Sequence, residues 1–314
     1  MKVIVLIICM VFSATCFAQD YTKEGKAKLK NGDYADAIVL LEKAIEKNNS
    51  DTLAYCFLGQ SYRALSKNDD AQYYYSIAIQ LDSYDPDFHF LKGQSLYETG
   101  NNTEALREFA IVDAICKYNE NRTRLLIMND GINIEARYMV SDYYLYYGRA
   151  LFDIKYYKEA LSKFEAANSI SGGIESTEKY WRGRTYYELE NYEKSCEDLS
   201  EADSLLPNNE SINSYLGQAS YFLGNYDNAI ESFTKASKLN PQSDFYLYFI
   251  GNSFTQLNQY EKAISFFDKA IVLSPNDTYN IKARGDAYKA LGNEIEAQKD
   301  YDRAAKAEKQ KQQD

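Results

Sequence analysis

A single histidine, His89, limits the chemistry open to this chain. Any Ser-His-Asp or Cys-His arrangement would have to recruit it, and zinc sites built on paired histidines are excluded. Alone, it reads as a packing residue at a helix interface. No G-x-G-x-x-G, P-loop or H-E-x-x-H string occurs. Carboxylate pairs such as Asp69-Asp70 and Glu188/Glu190 sit in strongly polar helical stretches, where a buried acid with a displaced pKa is not expected. Of the five cysteines, Cys9 and Cys16 fall near the N-terminus, which leaves Cys56, Cys116 and Cys196. An odd number, wide spacing and no C-x-x-C predict packed thiols rather than a disulfide or metal framework. These residues predict no catalytic centre, no metal and no cofactor, and point to a chain that is not an enzyme.

Charge narrows the partners. The net charge is −11, from 46 acidic and 35 basic residues, which disfavours nucleic acid and anionic membrane surfaces. No twenty-residue apolar run is present to span a bilayer. Lys2, the ten apolar residues Val3 to Phe12 and the small-residue stretch Ser13 to Ala18 read as a secretory signal, with cleavage after Ala18 and Gln19 as the first mature residue. The expectation is an exported protein, periplasmic or secreted. A lipoprotein anchor at Cys16 is the alternative, although Ser13 and Thr15 occupy the positions where such signals place Leu and Gly, Ala or Ser.

The elements that carry these residues follow a fixed period. Glycines stand at positions 25, 59, 93, 148, 183, 217, 251 and 285, and five of the seven intervals are 34 residues. Twelve residues after each comes Ala37, Ala71, Ala105, Ala160, Ser195, Ala229, Ala263 or Ala297. Seven further on stands Ala44, Ala78, Val112, Ala167, Ala202, Ala236, Ala270 or Ala304. Between them sits a bulky residue: Leu41, Tyr75, Phe109, Phe164, Leu199, Phe233, Phe267 or Tyr301. Spacings of four, three and seven put the alanines and the bulky residue on one face of a helix. A glycine at a constant helical position costs about 1 kcal/mol, so its recurrence implies close approach by a neighbouring helix. Polar turns such as Asn31-Gly32-Asp33 and Gly224-Asn225 separate two helices per repeat, and Pro207, Pro241 and Pro275 end three of them. Thirty tyrosines suit helix faces that are half buried.

This pattern resembles the tetratricopeptide repeat family, most fully in Leu216-Gly217 with Ala229, Phe233, Ala236 and Pro241, and in Ile250-Gly251 with Phe254, Ala263, Phe267, Ala270 and Pro275. The repeats begin near 18, 52, 86, 141, 176, 210, 244 and 278, and the first and fifth are the weakest matches. The resemblance implies an all-α, right-handed α-solenoid of about eight helix-turn-helix repeats with first helices lining a groove. Expected boundaries are a leader at 1–18, three repeats at 19–119, an insertion at 120–140, five repeats at 141–311 and a polar end at 312–314. The last helix has a polar outer face, and Lys309 to Asp314 read as a disordered tail. Within the insertion, Asn129-Asp130-Gly131 supports either a hairpin of Leu125–Met128 against Ile132–Glu135 or an elongated helix from Ile134.

The family's ligands lie in the concave groove. Carried over position by position, its contacts fall on Leu145, Arg149 and Phe152, on Tyr180, Arg184 and Tyr187, on Ser214, Gln218 and Tyr221, and on Tyr248, Asn252 and Thr255. Aromatics with Arg, Gln and Asn between them make a floor for a peptide segment or protein surface. The Lys/Asn clamp by which some members grip a terminal carboxylate is absent: the corresponding pairs read Thr22/Lys26, Cys56/Gln60 and Phe90/Gln94 in the first three repeats, and no Lys/Asn pair stands there in the later ones.

Overall fold

The computed structural model describes residues 19–118 and 134–311. The expected leader, residues 120–133 of the expected insertion and the end at 312–314 lie outside the described residues.

The described residues form sixteen helices and no strand. Two compact units make up the chain, Met1–Ile170 and Ser171–Asp314. In the first, α1 (19–30) pairs with α2 (Tyr34–Lys47), α3 (Thr52–Ala64) with α4 (Asn68–Leu81), α5 (Pro86–Glu98) with α6 (Asn102–Tyr118), and α7 (Ile134–Asp153) with α8 (Tyr157–Ser171). The second pairs α9 (Ser176–Glu188) with α10 (Tyr192–Leu205), α11 (Glu210–Phe222) with α12 (Tyr226–Leu239), α13 (Asp244–Gln256) with α14 (Tyr260–Leu273), and α15 (Thr278–Ala290) with α16 (Glu294–Lys311). Of the two readings of the insertion, the helix from Ile134 is the one seen, since Ile134 and Glu135 begin α7; one expectation changes. Helix α16 continues to Lys311, because its Glu, Lys, Gln and Ala residues propagate a helix where disorder from Lys309 was expected.

The reason for the glycine row is steric. Each glycine faces the bulky residue of its own second helix: a methyl on Gly59 would lie 2.6 Å from the Tyr75 ring, and one on Gly148 would lie 2.5 Å from that of Phe164. Those rings are fully buried between alanines that are also fully buried, such as Ala71 and Ala78 or Ala160 and Ala167. Each buried ring contributes about 1.5–3 kcal/mol of transfer free energy, and it reaches that site only because the glycine leaves room.

A second row lies seven residues after each glycine, in the turn between the paired helices. Gly32, Ser66, Gly100, Lys155, Glu190, Gly224, Asn258 and Gly292 all have φ between 58° and 84°. In every turn the same two hydrogen bonds close the helix, as Gly224 N–H to Tyr221 O (3.0 Å) and Asn225 N–H to Ser220 O (2.8 Å) show. That is the Schellman arrangement, which needs one left-handed residue.

Side chains join one repeat to the next. Asn213 Nδ2 donates to Asp203 (2.9 Å), Tyr246 Oη to Glu210 (2.7 Å) and Asn280 Nδ2 to Asp244 (2.9 Å). First helices also touch the next first helix, α3 with α5 and α5 with α7 in one unit, and α9 with α11, α11 with α13 and α13 with α15 in the other. Second helices are bridged by long side chains, such as Lys163 to Asp113 (2.6 Å) and Lys235 to Asp203 (3.3 Å). Within each unit the first helices therefore form the tighter layer.

Two predictions follow from this packing. Gly217→Ala drives a methyl to 2.9 Å from the Phe233 ring, whereas Gly224→Ala meets nothing within 4 Å and is opposed only by its φ of 84°. Urea unfolding should show a loss of about 2–3 kcal/mol for the first and about 1 kcal/mol for the second. The carboxyl of Asp87 is pushed up to about 6, by burial first and then by Asp85. A folded-state value above the ordinary 3.8 means that its charge opposes folding above about pH 6, and that this cost fades as pH falls toward 4. Asp87→Asn should therefore raise stability at pH 7.5 by about 1–2 kcal/mol and change almost nothing at about pH 3, read as thermal midpoints at the two pH values.

Candidate functional site

His89 is occupied as a structural tie. Its Nδ1 lies 2.6 Å from Glu108 Oε2 on α6, its Nε2 lies 3.3 Å from the Ser83 carbonyl, and Lys92 Nζ is 2.9 Å from the other Glu108 oxygen. The imidazole is buried, as expected of a packing residue. Burial raises the Glu108 carboxyl, but bonds from His89 and Lys92 outweigh it, and the net shift is downward. Cys56 and Cys196 are free thiols, and burial pushes both up, away from the reactive thiolate. Among the described residues no group of three or more His, Cys, Asp and Glu is placed to hold a metal.

The first-helix faces are where aromatic and polar groups converge. In the first compact unit, the Arg149 guanidinium on α7 lies 5.0 Å from the Tyr97 ring centre and 5.2 Å from that of Tyr146. Tyr97 Oη donates to Asp153 (3.0 Å), Tyr146 Oη to Glu98 (3.3 Å), and Arg63 Nη1 to Glu98 (2.8 Å). Phe152 stands apart from this group. It is buried, with its ring 5.2 Å from Tyr157 across the turn of its own repeat, so it packs there and is not displayed. Leu145 is buried too.

In the second unit the face spans α9 and α11. Arg184 lies 4.6 Å from the ring centres of both Trp181 and Tyr215, and 5.5 Å from that of Tyr180. Tyr215 packs edge-on to Tyr180 (6.1 Å) and Tyr187 (5.8 Å). Tyr187 Oη donates to Gln218 Oε1 (3.3 Å), and Gln218 Nε2 donates to Ser214 (3.3 Å). Tyr180, Arg184, Tyr187 and Gln218 are thus brought into one cluster, each half buried. The Tyr187 phenol is pushed up to about 12, by burial first and then by Tyr192 and Glu188, so it stays a neutral donor. Burial likewise raises Tyr180, against the pull of Arg184.

The remaining expected residues divide. Tyr221 meets Tyr226 (5.6 Å) within its repeat and Phe249 (5.3 Å) of the next. Tyr248 leans on Phe267 (6.3 Å) and Phe249 (5.4 Å), so it belongs to the packing between α13 and α14. Asn252 is half buried, and Thr255 Oγ1 bonds back to the Gly251 carbonyl (3.1 Å). Trp181 and Tyr215, at the centre of the cluster, were missed. Both stand two residues before a repeat glycine, a row that also holds Phe57, Tyr146 and Phe249, and this aromatic period was the available signal.

Rings that offer flat faces, with a guanidinium and an amide between them, can hold an extended backbone or a partner's side chains. They offer no nucleophile beside a base.

Family models described as tetratricopeptide repeat match residues 22–86, 58–117 and 179–209, and the model for anaphase-promoting complex, cyclosome, subunit 3 matches residues 196–270. A comparison with curated proteins returns no match. Among solved structures, MamA from Desulfovibrio magneticus RS-1 is similar with a TM-score of 0.52 at 16% identity, over 54% of this chain and 96% of that one. A crystal structure of MamA protein gives 0.53 at 20% identity, over 55% and 94%, and MamA MSR-1 gives 0.51 at 21%, over 55% and 98%. At these identities the likeness is one of fold. The eight glycine-registered helix pairs and these matched segments support a tetratricopeptide-repeat protein.

Proposed function

We propose that this protein is an exported, non-enzymatic scaffold that holds a peptide segment or protein surface against the first-helix face of its repeats and so supports assembly of a protein complex. The observation that carries the reading is the cluster of Tyr180, Trp181, Arg184, Tyr187, Tyr215 and Gln218 across α9 and α11. Tyr, Trp and Arg dominate binding energy at protein interfaces, and side chains already held in place lose little freedom on binding. The repeat fold supports a binding role, since stacked helix pairs build extended surfaces.

Export is supported by Lys2, the apolar run Val3 to Phe12 and the small residues up to Ala18. No helix among the described residues is long and apolar enough to cross a membrane. The mature chain would work in the periplasm or outside the cell.

One experiment tests both parts. The full-length protein is expressed in its native envelope, crosslinked and captured, beside Arg184→Ala and Tyr215→Ala variants. Partner recovery should fall about tenfold or more in each variant, and the captured chain should have the intact mass of one beginning at Gln19. Undiminished recovery would remove the first-helix face from the reading. A diacylglyceryl mass at Cys16 would replace a free exported protein with a lipid-anchored assembly factor.

A further inference from the structure

Repeats three and four and repeats five and six place comparable side chains at the same register but finish them differently. Tyr97 and Tyr187 each stand four residues after a repeat glycine, and Glu98 and Glu188 stand five after it. In the earlier pair the chain supplies its own cations. The Arg149 guanidinium covers the Tyr97 ring at 5.0 Å, Asp153 accepts the Tyr97 hydroxyl, and Arg63 pairs with Glu98 at 2.8 Å.

In the later pair the position of Arg149 is taken by Gln218, and that of Asp153 by Phe222. Tyr187, Tyr192 and Phe222 form an aromatic corner there, with Tyr192 stacked on Phe222 at 5.4 Å and 22° and Tyr187 at 5.7 Å and 6.1 Å from the two. Phe222 is 50% exposed. Glu188 and Glu190 border the corner and raise the Tyr192 phenol, after burial as the leading cause. Among the described residues neither carboxylate has an ion pair. The nearby cations are held on other rings: Arg184 on Trp181 and Tyr215 at 4.6 Å, and Lys194 on Tyr186 at 5.3 Å.

We propose that Tyr187, Tyr192 and Phe222, rimmed by Glu188 and Glu190, form the seat for an arginine or lysine side chain of a basic partner segment. The inference rests on the scaffold reading and adds the partner's chemistry to it. An aromatic face attracts a cation through its quadrupole, and two unpaired carboxylates strengthen that field. The net charge of −11 steers basic segments toward the chain as a whole, and the corner gives one residue of such a segment a fixed place. Arg149 over Tyr97 shows, in this same chain, the contact that a foreign guanidinium would make.

The test is fluorescence anisotropy on the full mature chain with a fluorescein-labelled (Arg-Gly)4 peptide, beside the matched (citrulline-Gly)4 peptide. The arginine peptide should bind saturably and the citrulline peptide should not. Phe222→Ala, and separately the pair Glu188→Gln with Glu190→Gln, should each weaken binding about tenfold. The distant acidic pair Glu294→Gln with Glu296→Gln should leave it unchanged, and circular dichroism should show all variants folded. Equal weakening by both acidic pairs would mean diffuse charge attraction and overturn the seat, as would equal binding of the citrulline peptide or no saturable binding. Partner capture that depends on Arg184 while the arginine peptide fails to bind would leave the scaffold reading standing and remove this inference alone.

Discussion

Everything in the architecture depends on how closely two helices of one repeat can approach. A ring such as Phe109, Phe164 or Phe233 must enter the space in front of a backbone that carries no side chain, and the glycines provide that space eight times. The small residues four before and three after each ring, alanine at most repeats and Val112 after Phe109, then close the pair from the second helix, and side-chain bonds such as Asn280 to Asp244 hold successive repeats together. Stability of such a chain is close to a sum of repeat and interface terms. A single loss of fit should therefore be felt locally and passed to the adjoining repeats.

This spacing is also what exposes the first-helix face. Because the glycine turns one side of each first helix toward its partner, residues on other sides meet the next first helix or face outward. Tyr180, Arg184 and Tyr187 on α9 face Tyr215 and Gln218 on α11 in this way. The cluster is held by mutual contacts of rings and guanidinium, with hydrogen bonds from Tyr187 to Gln218 and from Gln218 to Ser214.

Much of the fold was legible because glycine, alanine and a bulky residue recur at one period, and each has a steric reason for its place. The row of left-handed turn residues was not, since Gly32, Gly100, Gly224 and Gly292 are mixed with Ser66, Lys155, Glu190 and Asn258, and five residue types hide one backbone conformation. Only the hydrogen bonds of the turns reveal it. The proposed face was legible in part. Tyr180, Arg184, Tyr187 and Gln218, carried over from the family resemblance, come together in one cluster, whereas Phe152 packs on Tyr157 and Tyr248 on Phe267, because these positions lie at the edge of the pair's own core. Trp181 and Tyr215 stand two residues before a repeat glycine, whereas the positions that the family resemblance supplies stand three before, one after and four after it.

The most direct measurement of the central constraint is a double-mutant cycle between Gly251 and Phe267, where a methyl would meet the ring at 2.5 Å. Gly251→Ala should be costly beside Phe267 and much cheaper beside Phe267→Val, which withdraws the atoms that the methyl strikes, with a coupling of at least about 1 kcal/mol in urea unfolding. Additive costs, with no coupling beyond about 0.3 kcal/mol, would mean that the glycine is not there to admit the ring, and the account of the packing would fail.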